Sequence, residues 1–419
     1  MELKRVVVTG LGAITPVGNT VPSMWDSIVN GKSGAANITR FDASMFKTKF
    51  ACEVKDFVAS EYIDAKMARK MNPFCQYSVV SANQAIADSH LDLEKENCER
   101  IGVIVGVGVG GLSSFEEELK DYFLNESAGP RFTPFFIPRM IIDMTAGFIS
   151  IIHGLKGPNY ATASACASST HALIDAYNLI RLGKADVMVA GGSEAAITIS
   201  GIGGFSVMKA LSARNDDPER ASRPFSKSRD GFVLGEGGAA LILEEYEHAV
   251  SRGAHIYAEM VGGGMTADAN HMTAPHPEGD GALRVMREAL LDGGLKIEDI
   301  DYINVHGTST GLGDVSEVRA IKNLFGEHAY KLNISSTKSM TGHLLGGAGA
   351  LESVISVLAL ENGIVPPTIN HDEGDEDPEI DYKLNFTFNK AQKRDIKYAM
   401  SNTFGFGGHN ATVIFKKWQ

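Results

Sequence analysis

Cysteine is scarce in this 419-residue chain: there are four, Cys52, Cys75, Cys98 and Cys166, and no two stand in a CxxC spacing. That scatter argues against a disulfide scaffold and against a zinc ribbon or finger, and a reducing compartment, the cytoplasm, is expected. Uninterrupted apolar stretches of about 18 residues are also missing, so no membrane span is expected. The opening "MELKRVVVTGLGAITPVG" breaks into glycine and proline too early for a signal peptide. Basic charge is short: 39 Lys and Arg face 51 Asp and Glu, a net charge of −12. No counterion-releasing surface follows from that balance, and nucleic acid is not an expected partner.

What is present is an ordinary globular composition, 44% hydrophobic and 21% charged. Runs rich in Val and Ile recur, each followed by glycine: "RVVVTG" (5–10), "IGVIVGVGVGG" (101–111), "ADVMVAGG" (185–192), "AALILEEYEHAVSRG" (239–253), "DYINVHGTSTG" (301–311) and "YAMSNTFGFGGHNATVIF" (398–415). Continuous runs suit strands buried on both faces under helices. "THALIDAYNLIRLG" has helical apolar spacing and ends on Gly183, a suitable C-cap. The pattern predicts an α/β layered fold drawn as two strand–helix halves, 1–250 and 251–419, with no solenoid repeat. The acidic "HDEGDEDPE" (371–379) reads as a solvated surface loop.

Four segments carry chemistry. In "YATASACASSTHAL" (160–173), Cys166 stands between a strand-like stretch and a helix start, where unpaired N–H groups and the helix dipole favour a thiolate. Free cysteine is also among the most buried residue types, so a small inert hydrophobe fits these residues equally. "NVHGTSTGLGD" (304–314) sets His306 at a strand end, before a loop with Thr308 and Thr310; alone, it could be a satisfied core histidine. "SSTKSMTGHLLGGAGALES" (335–353) supplies Lys338 and His343, with small residues that permit close backbone approach; it lacks the order of a phosphate loop. "NTFGFGGHN" (402–410) is a glycine-rich turn between strands that could aim an N–H at a site and carry an aromatic, Phe404 or Phe406, or could be a tight hairpin and nothing more.

Together these segments, with "VVVTGLGAITPVG" and "FSVMKALSARNDDPERASRPFSKSRDGFVLGEGG", resemble the β-ketoacyl-[acyl-carrier-protein] synthases, condensing enzymes of the thiolase fold, nearly end to end and in family order. "ASRPF" and "RDGFVLGEGG" are most similar to the synthase II branch, which elongates acyl chains in bacterial type II fatty-acid synthesis. The resemblance implies two similar αβ halves in a layered α-β-α-β-α architecture, the nucleophile in the first and both histidines in the second. It implies decarboxylative Claisen condensation of malonyl-carrier protein with an acyl chain held as a thioester on Cys166. His306 and His343 would bind the malonyl thioester carbonyl, Lys338 and Glu317 would form a charged pair beside them, and the N–H groups of Cys166 and Phe406 would form the oxyanion hole. Phe406 would also gate the acyl chain. Thr308, Thr310 and Thr273 would touch the phosphopantetheine arm, and Val109 would line the acyl pocket.

By the same resemblance the partners are acyl carrier protein and a second copy in a homodimer, with no cofactor beyond the carrier's phosphopantetheine and no metal. Lys66, Arg69 and Lys70, spaced for one helical face, would dock the acidic carrier, with Arg131 and Lys209 beside them. A degradative thiolase needs a second cysteine late in the chain, and none follows Cys166; synthase III has asparagine where this chain has His343; a noncatalytic chain-length factor lacks the cysteine. A polyketide-type ketosynthase stays open as the alternative. Three positions depart from the family pattern: Gly311 for proline, Gly347 in "LLGGAGA" for alanine, and His409 for threonine.

Overall fold

The structure, a computed structural model, describes residues 3–125, 129 and 131–419. Its centre is a ten-stranded sheet. The strands are β1 (Val6–Ile14), β2 (Ile101–Gly106), β3 (Asn159–Thr162), β4 (Val187–Glu194), β5 (Gly237–Glu245), β6 (Ala258–Ala267), β7 (Tyr302–Asn304), β8 (Asn333–Ser335), β9 (Tyr398–Gly405) and β10 (His409–Lys417). Across the sheet they run β8-β7-β9-β10-β6-β1-β5-β4-β2-β3.

That order is one five-strand pattern used twice. In the first half β1 pairs antiparallel with β5, β5 antiparallel with β4, β4 parallel with β2 and β2 parallel with β3. In the second, β6, β10, β9, β7 and β8 repeat the same senses in the same sequence. The halves join where Val6–Val8 of β1 meet Ala258–Met260 of β6.

The five main helices are α1 (Pro73–Ser89), α2 (Ser168–Arg181), α3 (Asp280–Asp292), α4 (Gly311–Phe325) and α5 (Ala348–Asn362). Helices α2 and α5 touch each other and strands of both halves, so they form the middle layer; α1 covers β1, β5 and β4 from one side, and α3 covers β6 and β10 from the other. This is the expected α-β-α-β-α layering. It explains why β1, β4 and β5 are buried along their whole length and read as continuous apolar runs. Helix α1 starts where Asn72 Oδ1 accepts the Phe74 N–H and Pro73 occupies the first turn. It ends at His90, whose φ of 55° is left-handed.

Two expectations change. The segment 371–379 is tied down rather than merely solvated: Asp375 and Asp377 pair with Arg223 and Arg229, both nearly buried. The basic helix predicted around Lys66, Arg69 and Lys70 is a single turn, Ala65–Ala68, that ends before Lys70. Among the described residues no helix is long and apolar enough to cross a membrane.

Candidate active site

The loop between β3 and α2 makes a sharp turn at Ala165, whose φ of 51° is unusual for a residue with a Cβ. Hydrogen bonds over-determine the turn: Ser168 Oγ donates to the Ala165 carbonyl at 2.6 Å, the Ser164 N–H donates to Ser168 Oγ at 2.9 Å, and the Ala167 N–H donates to the Ser164 carbonyl at 3.1 Å. Cys166 is thereby set two residues ahead of α2, with its thiol facing a cavity of about 540 Å³.

The second half delivers the histidines to the same cavity. His306 follows β7, and His343 follows the four-residue helix Lys338–Thr341. His343 Nε2 is 3.0 Å from Cys166 Sγ, the two imidazoles cross at 84° with centroids 5.2 Å apart, and one nitrogen of each ring lies with Sγ inside a 4.8 Å cluster. The β9–β10 turn closes over them: Phe404 packs 5.7 Å from the His306 ring. At Gly405 a Cβ would lie 2.8 Å from the Ser164 carbonyl and 3.1 Å from the Cys166 nitrogen, so the turn needs glycine there. Phe406 lines the cavity beside Cys166.

Burial sets the resting charge state. It pushes the Cys166 thiol up to about 12, against the pull of the Lys338 charge and with Glu194 and Glu352 adding to the rise. Burial, then the Lys338 charge, holds both histidines well below the ordinary imidazole range. Burial thus favours the neutral form of the thiol and of both imidazoles. It therefore works against the thiolate that the helix N-terminus would favour.

Lys338 is 1% exposed, and its ammonium pairs with Glu352 of α5. This corrects the expected Lys338–Glu317 pair. Glu317, from α4, lies under the His306 loop and accepts the N–H of His306 at 2.9 Å, that of Gly307 at 2.8 Å and the amide of Asn402 at 3.3 Å. Burial lifts both carboxyls to about 7. Glu352 and Asp314 were not anticipated. Asp314 accepts the N–H groups of Ser309 and Phe225 and lies 3.5 Å from Arg229, bracing the loop of Thr308 and Thr310. The signal for Glu352 was a single acid inside the apolar run "AGALESVISVLAL".

Thr308, Thr310, Thr273, Val109, Glu317 and Lys209 all line the cavity with the cysteine and histidines. Lys66, Arg69, Lys70 and Arg131 are exposed and do not line it. Among the three departures, Gly311 opens α4 with free space around its Cβ position. A Cβ on Gly347 would press within 3.0 Å of Ser193. His409 is exposed and lays its ring 2.8 Å from where a Gly407 Cβ would be. Cys166, His306 and His343 are also the donor set a zinc ion would take. The buried Lys338 charge that depresses both imidazoles opposes a dication in the same way.

Comparison with known proteins matches residues 3–249 to the beta-ketoacyl synthase N-terminal domain and residues 257–372 to its C-terminal domain. The chain belongs to the β-ketoacyl synthase family. A 3-oxoacyl-[acyl-carrier-protein] synthase 2 from Synechocystis sp. is 51% identical over 100% of this chain and 99% of its own. Among solved structures, a beta-ketoacyl synthase from Burkholderia phymatum superposes with a TM-score of 0.91 at 35% identity, over 99% of this chain and 100% of its own. A type II polyketide ketosynthase, determined in complex with its acyl-carrier protein, superposes with a TM-score of 0.90 at 33% identity over the whole of both chains. The five-layered β-ketoacyl synthase fold is thus the fold expected of this sequence.

Proposed function

We propose that this chain condenses malonyl-acyl carrier protein with an acyl chain held on Cys166, lengthening it by two carbons. The observation that carries the reading is the buried Cys166–His343–His306 cluster lining a cavity of about 540 Å³. Cys166 attacks the acyl thioester carbonyl, the carrier thiol leaves with the proton, and the acyl group becomes a protein thioester. His306 and His343, each donating one N–H, then hold the malonyl thioester oxygen. The malonyl carboxylate departs as carbon dioxide and leaves its electron pair as an enolate on that thioester. The enolate carbon attacks the acyl carbonyl, the N–H groups of Cys166 and Phe406 receive the oxyanion, and the Cys166 thiolate leaves and regains a proton. Neutral imidazoles suit this work, because each keeps one N–H to give to the malonyl thioester oxygen.

The fatty-acid reading is favoured over the polyketide one by the 51% identity to a 3-oxoacyl-[acyl-carrier-protein] synthase 2, against 33% for the polyketide ketosynthase. The same reading takes the carrier as partner, docked by Lys66, Arg69, Lys70, Arg131 and Lys209. It takes Thr308, Thr310 and Thr273 as pantetheine contacts, phosphopantetheine as the carried group with no other cofactor, a cytoplasmic location, and two halves divided near residue 250. Edge strand β3 exposes Asn159 and Tyr160, which supports pairing with a second copy. Intact-protein mass spectrometry after incubation with acyl-carrier protein tests the reading: one acyl mass on Cys166, discharged by malonyl-carrier protein, is expected. Folded protein that gains no such mass would overturn it.

A further inference from the structure

One buried acid at the site has no part in the chemistry above. Glu194, the last residue of β4, is fully buried and forms no ion pair with any described residue. Its carboxylate instead gathers backbone N–H groups: Gly108 at 2.9 Å, Val109 at 3.1 Å, Gly110 at 3.0 Å and Gly346 at 3.2 Å. Three consecutive donors come from the loop after β2, and the fourth comes from the loop that carries His343. The two loops are in contact, since a Cβ on Gly346 would fall 2.1 Å from the Gly108 nitrogen. Gly108, Val109 and Leu345 of these loops line the cavity.

Successive N–H groups converging on one anion define the backbone dihedrals of the residues that bear them. The Val109 side chain, stiff at χ1, therefore stands where Glu194 puts it. We propose that Glu194 is a positioning residue for acyl-chain-length preference, acting through Val109 by holding residues 108–110 against the cavity. The inference rests on the reading of this cavity as an acyl-chain pocket. Glutamine at 194 would turn an amide NH₂ toward N–H donors, and aspartate would keep the charge but draw it back by one methylene; either change releases the loop.

The test compares kcat/KM for a short and a long saturated acyl-carrier protein in wild type, Glu194→Gln, Glu194→Asp, Val109→Gly and the double variant Val109→Gly/Glu194→Gln. The long-to-short ratio is expected to change about tenfold in Glu194→Gln, the effect of about one methylene in a hydrophobic pocket. In the Val109→Gly background, where no wall side chain remains to be moved, that change is expected to vanish. Equal loss at every chain length, or a ratio that neither Glu194 variant alters, would overturn the inference. Glu194→Asp gives the same reading if Glu194→Gln does not fold. Wild type that takes no acyl group of any length overturns the acyl-pocket reading itself, whereas length-dependent wild-type acylation with unchanged variant ratios overturns only the role of Glu194.

Discussion

The loop after β2 and the loop after β7 occupy equivalent places in the two halves, and each surrenders its N–H groups to a buried carboxylate. Gly108, Val109 and Gly110 donate to Glu194; His306 and Gly307 donate to Glu317. What differs is the side chain so held, an aliphatic wall in the first half and an imidazole in the second. The next loops divide in the same way: the one before α2 presents Cys166 and the one before α5 presents His343, 3.0 Å apart. A duplicated backbone device can therefore carry different chemistry in each copy, because N–H capture fixes the main chain without specifying the side chain.

The comparison is broken most severely by removing the histidines, whose places in the first half are held by Val109 and Cys166. His306→Ala and His343→Ala are each expected to lower malonyl decarboxylation by about 10²–10³, the cost of one lost oxyanion donor, measured as carbon dioxide release. Lys338→Met comes next. It strands Glu352 without its cation, and the double change Lys338→Met/Glu352→Leu should recover most of a loss of about 3 kcal/mol in urea unfolding. Glu317→Gln sharpens the contrast between the loops. It is expected to slow decarboxylation about tenfold through a misplaced His306, with Cys166 acylation kept, whereas Glu194→Gln shifts chain-length preference instead. The mildest test is the pH dependence of alkylation. Burial disfavours the Cys166 thiolate and lifts its pKa from the ordinary 9.0 to about 12, so the reactive fraction should keep rising about tenfold per pH unit well above neutrality. A plateau near pH 7 in iodoacetamide labelling would mean a resting thiolate–imidazolium pair instead.

The layered architecture was legible because long strands buried on both faces leave unbroken apolar runs, as in "RVVVTG" and "ADVMVAGG". Strand β8, with three residues, is too short to leave such a trace. The cysteine and both histidines were legible as residues on glycine-punctuated loops and as family motifs; that they share one cluster was not, since 177 positions separate Cys166 from His343. Lys338 is legible in the sequence, but its partner Glu352 is not. Glu317 and Glu352 are both near it in the chain, and only the packing of α5 against the site decides which one reaches the ammonium.

The amino-acid sequence by itself determined the alternation of buried strands and helices, the small residues that let loops and helices approach, and the nucleophile and imidazoles available for thioester chemistry. Those properties are local, written in side-chain type and short spacing. The tertiary structure alone decided the partner of Lys338, the gathering of N–H groups by Glu194 and Glu317, and the burial that disfavours the Cys166 thiolate. Each of these depends on which distant segments exclude water from one another, and local sequence carries no record of that.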